Sequence, residues 1–278
     1  MSKVWFVTGS SRGLGRAFVE AALSRGDRVA ATARDTGRLE ALVTAHGDAV
    51  LPLRLDVTDR AAVFDAVRRA RDHFGRLDVV VNNAAHGLFG AVEELTERQL
   101  RDQLDTNLLG AVRVVQAVLP HLREQGAGHI VQISSVGGLT AFPLGGGYSA
   151  SKWALEGLSE ALAHEVAPFG VKVTLVEPGS YATEAVASAV RAEADPHYAA
   201  PREAFQEYAA ALDLGDPAAA GRALLDLVDS AEPPLRVFFG NHGNQMLPQV
   251  YAERLKTWAD WQDLSAKAHG PLPPAPAA

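Results

Sequence analysis

The sequence predicts a doubly wound α/β domain, in which helices cover both faces of one parallel sheet of seven strands. Short apolar runs alternate with longer stretches of helical periodicity, which is the pattern that successive strand-helix-strand units produce. The short runs are apolar throughout, which is typical of strands that are buried on both faces. The predicted strands are residues 4–7, 28–33, 50–55, 77–81, 129–134, 171–176 and 235–239.

Helical stretches lie between these strands and carry apolar residues at helical spacing. The first stretch, residues 12–25, places Ala17, Phe18 and Ala21 on one face. The later stretches repeat this pattern, so each predicts a helix that packs against the sheet. They are residues 37–46, 61–74, 93–124 and 148–166.

Residues 182–217 break this rhythm. The stretch is rich in alanine and carries three prolines, which predicts an insertion beside the sheet. We therefore expect a single domain over residues 1–269 that includes an insertion at about 184–217. The proline- and alanine-rich tail, residues 270–278, has little to bury and is expected to be extended or disordered.

Composition excludes several classes of protein. The 278-residue chain has 47% hydrophobic and 21% charged residues, which is typical of a globular protein. Its net charge of −7 gives no basic excess for a nucleic-acid backbone, so we expect no nucleic-acid partner. The absence of cysteine excludes disulfides and thiolate sites. Apolar runs are too short for a membrane span, and the first residues leave no room for a signal peptide, so we expect a cytoplasmic protein without membrane contact.

A glycine-rich turn follows the first predicted strand. Residues 8–15 read Thr-Gly-Ser-Ser-Arg-Gly-Leu-Gly and lead into the first helix. Glycine permits a tight turn and a close backbone approach, and the N-terminus of the next helix offers unpaired N–H groups to a pyrophosphate. The turn therefore predicts a dinucleotide site, and an ordinary glycine-rich connection is the alternative.

The stretch TGSSRGLG resembles the cofactor motif of the short-chain dehydrogenase/reductase family. Six further motifs follow in the order of that family, and they cover most of the chain as far as about Thr183. They are Asp56 in LDVT, the pair Asn82-Asn83 with Ala84, Asn107, Ser135, Tyr148 with Lys152, and Pro178-Gly179. The usual NNAG is NNAA here, with Ala85 in the last place.

The resemblance implies a Rossmann-type fold that binds a nicotinamide cofactor. Asp56 is implied to contact the adenine, and its alternative role is to cap the helix that begins near Asp59. Thr183 is implied to meet the nicotinamide carboxamide. The full set of implied cofactor residues is Gly9, Ser11, Arg12, Gly13, Leu14, Gly15, Arg34, Asp56, Val57, Asn83, Ala84, Tyr148, Lys152, Pro178, Gly179 and Thr183.

The expected cofactor is NADP(H) rather than NAD(H). An NAD enzyme carries an acidic residue at the end of the second strand, where it binds the ribose 2′-hydroxyl. Here Ala33 ends that strand and Arg34 follows, and its guanidinium can pair with a 2′-phosphate. Arg12 in the glycine turn can approach the same group. The alternative is that both arginines are solvated surface charges and that Asp35 binds the ribose.

The catalytic residues are expected to be Asn107, Ser135, Tyr148 and Lys152. Tyr148 and Lys152 are four residues apart at the start of a predicted helix, so their side chains share a face. A nearby ammonium favours the phenolate, and the pair can then exchange a proton with an alcohol or a carbonyl. Ser135 resembles the family's serine that binds the substrate oxygen, and a turn cap is its alternative. Asn107 resembles the family's fourth catalytic residue, which orders the proton path to Lys152, and a helix-kink asparagine is its alternative.

These features imply an NADP(H)-dependent oxidoreductase that transfers a hydride between the nicotinamide and a carbonyl or secondary alcohol. The residues around Ser135 and Tyr148 resemble the hydroxysteroid and retinol dehydrogenase branch, which implies a bulky hydrophobic ketone. A xenobiotic, polyketide or terpenoid carbonyl fits equally well. Two other classes stay open: a non-redox lyase or epimerase of the same family, and a cofactor-sensing protein without turnover.

Residues 184–217 are the expected substrate loop. Its apolar walls would be Val186, Val190, Tyr198, Phe205 and Tyr208, or else these side chains are the core of a helical insertion. The expected partners are a small-molecule substrate and further copies of the chain, as a dimer or tetramer formed through residues 93–124 and 148–166. No catalytic metal is expected, because the histidines are scattered and form no paired ligand motif.

Overall fold

The computed structural model describes residues 2–270, in which strands and helices alternate. The strands are β1 (Val4–Val7), β2 (Arg28–Ala33), β3 (Val50–Arg54), β4 (Val79–Asn82), β5 (Leu88–Phe89), β6 (Gly128–Ile133), β7 (Val171–Pro178), β8 (Val190–Arg191) and β9 (Arg236–Phe239). The helices are α1 (Gly13–Ser24), α2 (Glu40–His46), α3 (Arg60–Phe74), α4 (Glu97–Leu104), α5 (Gly110–Gln125), α6 (Gly146–Val166), α7 (Ala199–Ala210), α8 (Pro217–Asp229), α9 (His242–Asp260) and α10 (Gln262–His269).

Seven of these strands form one sheet in the order β3-β2-β1-β4-β6-β7-β9, which confirms the predicted fold class. Each pair of neighbours runs parallel. Strands β2 and β3 are added on one side of β1. Strand β4 then pairs with the other side of β1, and β6, β7 and β9 follow on that side. The strand order therefore reverses between β1 and β4, and in open α/β sheets a ligand binds outside the carboxyl ends of the strands at such a point.

Side chains of the sheet pack into two cores, one on each face. Along β1, Val4 and Phe6 belong to one core, whereas Trp5 and Val7 belong to the other, and all four are completely buried. Successive side chains of a strand point to opposite faces, so a strand covered on both sides must be apolar at every position. This burial explains why the predicted strands are continuous apolar runs.

The single helix predicted over residues 93–124 is instead broken in two places. A 3₁₀ turn, Val92–Glu94, precedes α4, and a π-helical segment, Asp105–Leu109, separates α4 from α5. Thr96 begins α4 as a capping box, since its Oγ1 accepts the N–H of Gln99 at 3.2 Å and the Gln99 side chain accepts the N–H of Thr96 at 2.9 Å. A π segment shifts the helical spacing by only one residue, so the apolar pattern alone does not indicate it.

The insertion after β7 is attached to the body of the fold at two points. Strand β8 pairs in parallel with β5, which lies just after β4. Glu94 provides the second attachment, because its carboxylate accepts the N–H of Asp195 at 2.7 Å and binds the guanidinium of Arg202 on α7. The insertion is therefore ordered by hydrogen bonds and an ion pair to the main chain fold.

Residues up to Gly243 form one compact unit, and residues from Asn244 form a second. The single domain expected over residues 1–269 stays a prediction, and residues 271–278 of the predicted tail lie outside the described residues. Within residues 2–270, no helix is long and apolar enough to cross a membrane. The same residues contain no group of three His, Cys, Asp or Glu side chains placed to hold a metal ion.

Candidate active site

The glycine turn connects β1 to α1 at the point where the strand order reverses. Gly9 and Gly13 have φ angles of 69° and 58°, which residues with a Cβ rarely adopt. Arg12 occupies the N-cap position of α1 and directs its guanidinium to Glu184 (Nη1 to Oε2, 2.9 Å). The Arg12 side chain makes no cap hydrogen bond, so the start of α1 offers its first N–H groups to an anion such as a pyrophosphate. The other residues of the turn, half-buried, are Ser11 and Leu14.

Asn83 and Thr8 hold this turn in place. The Asn83 side chain donates through Nδ2 to the carbonyls of Thr8 (3.0 Å) and Gly9 (3.1 Å). Thr8 Oγ1 accepts the N–H groups of Asn83 (2.9 Å) and Ala84 (3.0 Å). A Cβ at Gly15 would lie well under 3.0 Å from both Asn83 Nδ2 and the Gly9 carbonyl oxygen, so only glycine fits there. The structure thus gives Asn83 and Ala84 a bracing role under the predicted cofactor turn.

The predicted nicotinamide end of the crevice is formed by the chain after β7. Pro178 ends β7, and the N–H of Gly179 donates to the carbonyl of Phe239 at 3.0 Å. Thr183 faces the glycine turn, because a Cβ at Gly13 would lie 3.5 Å from its Cβ. The structure therefore brings Thr183 next to the glycine turn, although 170 residues separate Thr183 from Gly13 along the chain.

Arg34 lies exposed at the end of β2, where the adenosine ribose is expected. Asp35, the alternative ribose ligand, is the N-cap of the following 3₁₀ turn, and its Oδ1 accepts the N–H of Gly37 at 3.0 Å. One oxygen of the Asp35 carboxylate is therefore already used in a hydrogen bond with a nearby backbone N–H group. The local structure therefore leaves Arg34 as the side chain that extends from this strand end.

Asp56 follows β3 on the same side of the crevice. Burial raises the pKa of Asp56, but hydrogen bonds from Thr58 and the positive charge of Arg34 outweigh burial and hold that pKa below its ordinary value. The N-cap of α3 is Asp59, so Asp56 does not serve as the cap of that helix. Val57 is buried beside it.

Ser135, Tyr148 and Lys152 come together at the carboxyl end of β6, and we call them the Ser-Tyr-Lys trio. Lys152 Nζ donates to the carbonyl of Ile133 at 2.7 Å and lies 5.9 Å from the centroid of the Tyr148 ring. Ser135 Oγ accepts the N–H of Gly137 at 3.0 Å, and the interaction of Ser135 with the Tyr148 hydroxyl acts to lower the pKa of that phenol. The serine and tyrosine hydroxyls thus influence each other beside the buried ammonium of Lys152.

Burial controls the protonation of the trio. It raises the pKa of Tyr148, and the hydrogen bond with Ser135 opposes this effect. Burial also lowers the pKa of Lys152 to about 8, against the attraction of the Glu156 carboxylate. At neutral pH the phenol therefore carries its proton and the lysine is charged, which is the state in which Tyr148 can donate a proton.

Asn107 lies in the π-helical segment and is almost completely buried. Its Oδ1 accepts the N–H of His86 at 3.0 Å, and its Nδ2 donates to the His86 carbonyl at 3.0 Å and to Ser151 Oγ at 3.1 Å. Ser151 in turn donates to the carbonyl of Tyr148 at 2.7 Å. Asn107 therefore connects the loop after β4 to the first turn of α6, which carries Tyr148.

Three phenylalanines, which sequence analysis did not group, border the trio and form what we call the phenylalanine cluster: Phe89, Phe142 and Phe205. Phe142 and Phe205 are stacked with centroids 5.7 Å apart, and Phe89 lies 6.5 Å and 5.7 Å from them. A Cβ at Gly137 would lie 3.2 Å from Tyr148 Cε1 and 3.4 Å from Phe142 Cε1, so both rings approach Gly137 and the cluster lies near the trio. Phe89 lies on β5, Phe142 lies in the loop before α6, and Phe205 lies on α7. No local sequence signal therefore indicates the cluster.

The structure places the five expected walls of the substrate loop differently from one another. Phe205 joins the phenylalanine cluster, whereas Val186, Val190 and Tyr208 are 58%, 42% and 45% exposed. The Tyr208 hydroxyl is 2.8 Å from His242 Nε2, and the Tyr198 hydroxyl donates to Glu93. Both tyrosines thus fix the position of α7 and the turn before it.

Comparisons with known proteins agree with this geometry. A sequence model described as short chain dehydrogenase matches residues 3–194. The chain is 43% identical to oxidoreductase BOA17 of Botryotinia fuckeliana over 95% of this chain and 98% of that protein. A short-chain dehydrogenase from Streptomyces avermitilis has a TM-score of 0.91 and 41% identity, with 96% of this chain and 98% of that one covered. A short-chain dehydrogenase from Burkholderia cenocepacia in complex with NADP has a TM-score of 0.74 and 26% identity, with coverage of 93% and 97%. The chain therefore belongs to the short-chain dehydrogenase/reductase family of oxidoreductases, which bind a nicotinamide cofactor.

Proposed function

We propose that the protein is an NADP(H)-dependent oxidoreductase that interconverts a bulky hydrophobic ketone and its secondary alcohol. The observation that carries the proposal is that the glycine turn after β1 and the Ser-Tyr-Lys trio after β6 lie at the same carboxyl edge of the sheet. The turn fits a dinucleotide, because the positive φ angles of Gly9 and Gly13 and the close packing of Gly15 on the Gly9 carbonyl hold the backbone in a tight turn at the N-terminus of α1. When bound, the nicotinamide supplies or accepts the hydride.

The trio handles the proton. In ketone reduction, Tyr148 Oη donates its proton to the carbonyl oxygen as the hydride arrives at carbon. The Ser135 hydroxyl holds the same oxygen, while its Oγ is fixed by the Gly137 N–H. The Lys152 ammonium stabilises the phenolate that remains, and Asn107 keeps the first turn of α6 in register with the loop after β4. In the reverse direction the phenolate accepts the proton of the alcohol.

The direct test follows NADPH absorbance when the purified protein meets a panel of ketones. Ketone-dependent oxidation of NADPH supports the proposal. Tight cofactor binding without turnover of any carbonyl in the panel would contradict it, and would favour a lyase, an epimerase or a cofactor-sensing protein.

Two arginines support NADP(H) as the cofactor. Arg34 is exposed at the end of β2, whereas the neighbouring carboxylate of Asp35 caps a turn. Arg12 lies in the glycine turn, where its ion pair with Glu184 is solvent-exposed and therefore weak. A 2′-phosphate between these two guanidinium groups would be bound by charge-assisted hydrogen bonds. The NADP complex of the Burkholderia relative is consistent with this choice.

Arg34→Ala is expected to weaken NADPH binding by about 1.5–3 kcal/mol, or roughly tenfold or more in Kd, because one charge-assisted pair is lost. NADH has no 2′-phosphate, so its Kd is expected to stay unchanged. Calorimetric titration of both cofactors measures the two values side by side. Arg68→Ala is the matched control, since Arg68 is an exposed arginine that pairs with Asp65 and Asp72 on α3. Equal losses for NADPH and NADH would refute the role of Arg34.

The phenylalanine cluster supports a bulky hydrophobic substrate. Its three rings are half-buried, and Phe142 and Tyr148 both approach Gly137. Aromatic walls of this kind bind apolar substrate groups by burial and by ring contacts. The polar groups nearest the reacting oxygen would then be limited to the Ser135 and Tyr148 hydroxyls.

Phe205→Ala is expected to lower kcat/KM for a bulky apolar ketone by roughly tenfold or more, because a large apolar contact is lost. A small ketone that does not reach Phe205 should lose little. Steady-state kinetics with a size series of ketones measures this difference. Phe169→Ala is the control, since Phe169 is 41% exposed and lies between α6 and β7. A uniform loss across the series would contradict the assignment of Phe205 as a substrate wall.

We also propose that the protein acts in the cytoplasm as a homo-oligomer. Large exposed apolar side chains lie on the elements expected at the interface, with Leu109 and Trp153 each 44% exposed. Burial of such side chains against a second copy is favourable. Sedimentation analysis of the purified protein gives the number of subunits, and a monomer at micromolar concentration would contradict this part of the proposal.

A further inference from the structure

Behind the catalytic lysine, two carboxylates are buried against one arginine. Glu156 lies one helical turn after Lys152 on α6, and Glu177 lies near the end of β7; they are 5% and 1% exposed. Arg236, the first residue of β9, meets both: its Nε is 3.0 Å from Glu156 Oε2 and 3.7 Å from Glu177 Oε1. Its Nη2 also binds the exposed carboxylate of Glu160 at 2.7 Å.

The two buried carboxyls differ in their contacts with Arg236. Glu156 accepts a hydrogen bond from Arg236 and shares its helix face with Lys152. Glu177 Oε1 is too far from Arg236 for a hydrogen bond and has no other hydrogen-bond partner within residues 2–270. Burial raises the pKa of Glu177 to about 8, and the neighbouring Glu156 adds to the effect. Burial also holds the pKa of Glu156 above its ordinary value, although Ser134, Arg236 and Lys152 oppose the effect.

The charge of Glu156 therefore acts on Lys152. The charged groups that face Glu156 are Lys152 and Glu160 on its own helix, Arg236 on β9 and Glu177 on β7. Arg236 binds Glu156 and Glu160, and Glu177 is neutral near pH 7, so Glu156 is the carboxyl whose charge acts on Lys152. An anion beside a buried ammonium stabilises its charged form.

We propose that Glu156, held in place by Arg236, is a positioning residue that keeps Lys152 charged beside Tyr148. This inference rests on the proposed reaction, in which Lys152 acts on Tyr148 only in its ammonium form. Since Glu156 does not touch the substrate oxygen, it acts only through the lysine. Its removal would leave the lysine buried without its anion, and the lysine would lose its proton at a lower pH.

Three matched variants test this proposal by the pH profile of kcat/KM for ketone reduction. Glu156→Gln keeps the shape and the acceptor oxygen but removes the charge, so the alkaline limb of the profile should move to lower pH by on the order of one unit. Glu160→Gln removes the exposed carboxylate that binds Arg236. Glu177→Gln removes a buried carboxyl that is already neutral near pH 7. Below about pH 8, both variants should show the same alkaline limb of the kcat/KM profile as the wild type. A Glu156→Gln limb that coincides with the wild-type limb would overturn the proposal.

A second readout separates this proposal from the proposed function. The chain has five lysines, so ¹³C labelling at lysine Cε gives few resonances, and a Lys152→Met variant assigns the one of interest. The pH at the midpoint of the Lys152 titration should fall in Glu156→Gln and stay unchanged in Glu160→Gln. This result does not require turnover of any ketone. An unchanged midpoint in Glu156→Gln overturns the inference, whereas absence of turnover in the wild type overturns only the proposed function. If Glu156→Gln does not fold, NMR of the glutamate carboxyl carbons in the wild-type protein tests the proposal instead. A Glu156 carboxyl that is still protonated at pH 7 would overturn the inference.

Discussion

Tyr148→Phe is expected to reduce ketone turnover by about 10²–10⁴-fold or more while NADPH affinity stays at the wild-type level. The variant removes only the phenol oxygen, which is the proton donor of the proposed reaction, and general acid catalysis by a positioned side chain contributes about that factor. Ser135 and Lys152 remain, but neither can supply the proton with the geometry of Tyr148. Single-turnover NADPH oxidation measures the chemical step, and calorimetry measures the affinity.

Tyr251→Phe is the control for this experiment. Tyr251 is 41% exposed on α9, so removal of its hydroxyl should leave both turnover and affinity unchanged. Turnover in Tyr148→Phe at the wild-type rate would refute the assigned proton donor. Equal loss of turnover and of NADPH binding would point instead to a structural role for the hydroxyl.

Gly15→Ala is expected to abolish measurable binding of the nicotinamide cofactor. The added methyl group would collide with Asn83 Nδ2 and with the Gly9 carbonyl oxygen. These two atoms are hydrogen-bonded to each other. Relief of the collision requires the first turn of α1 to move away from the end of β1, and this movement opens the cradle for the pyrophosphate. Overpacking of this kind also costs about 1–3 kcal/mol of stability. Calorimetric titration and thermal unfolding measure the two effects.

Gly157→Ala provides the matched control. Gly157 lies inside α6, and a Cβ there meets no atom within 4 Å. Alanine is favoured over glycine in a helix by about 1 kcal/mol, so this variant should be slightly more stable and should bind the cofactor as the wild type does. Wild-type affinity in Gly15→Ala would show that the turn tolerates a side chain and would contradict the packing argument.

The sheet could be predicted from the sequence because each strand is buried on both faces. The continuous apolar runs record that burial directly, and the predicted strands agree with the observed seven to within about two residues at each end. The break in the helix over residues 93–124 could not be predicted in the same way. Asn107 in the π segment is hydrogen-bonded to His86, 21 residues away, and periodicity reports only local spacing.

The candidate site divides along the same line. The motif residues could be identified because their spacing is local: the glycine turn spans eight residues, and Tyr148 and Lys152 share one helical turn. The contact between Arg236 and Glu156 joins residues 80 apart, and Phe205 reaches Phe142 from a different element. Such contacts follow from the topology of the sheet and the insertion, so they become visible only in the folded chain.

The two attachments of the insertion have a consequence for how this protein can diversify. Phe205 is carried by a segment that β8 and the contacts of Glu94 hold in place, whereas Ser135 follows β6 and Tyr148 and Lys152 lie on α6. Sequence drift or loop grafting between residues 184 and 216 can therefore remodel one wall of the cleft while the proton-transfer apparatus is inherited unchanged. If the proposed reaction is correct, substrate range can change through the insertion while the type of reaction stays the same.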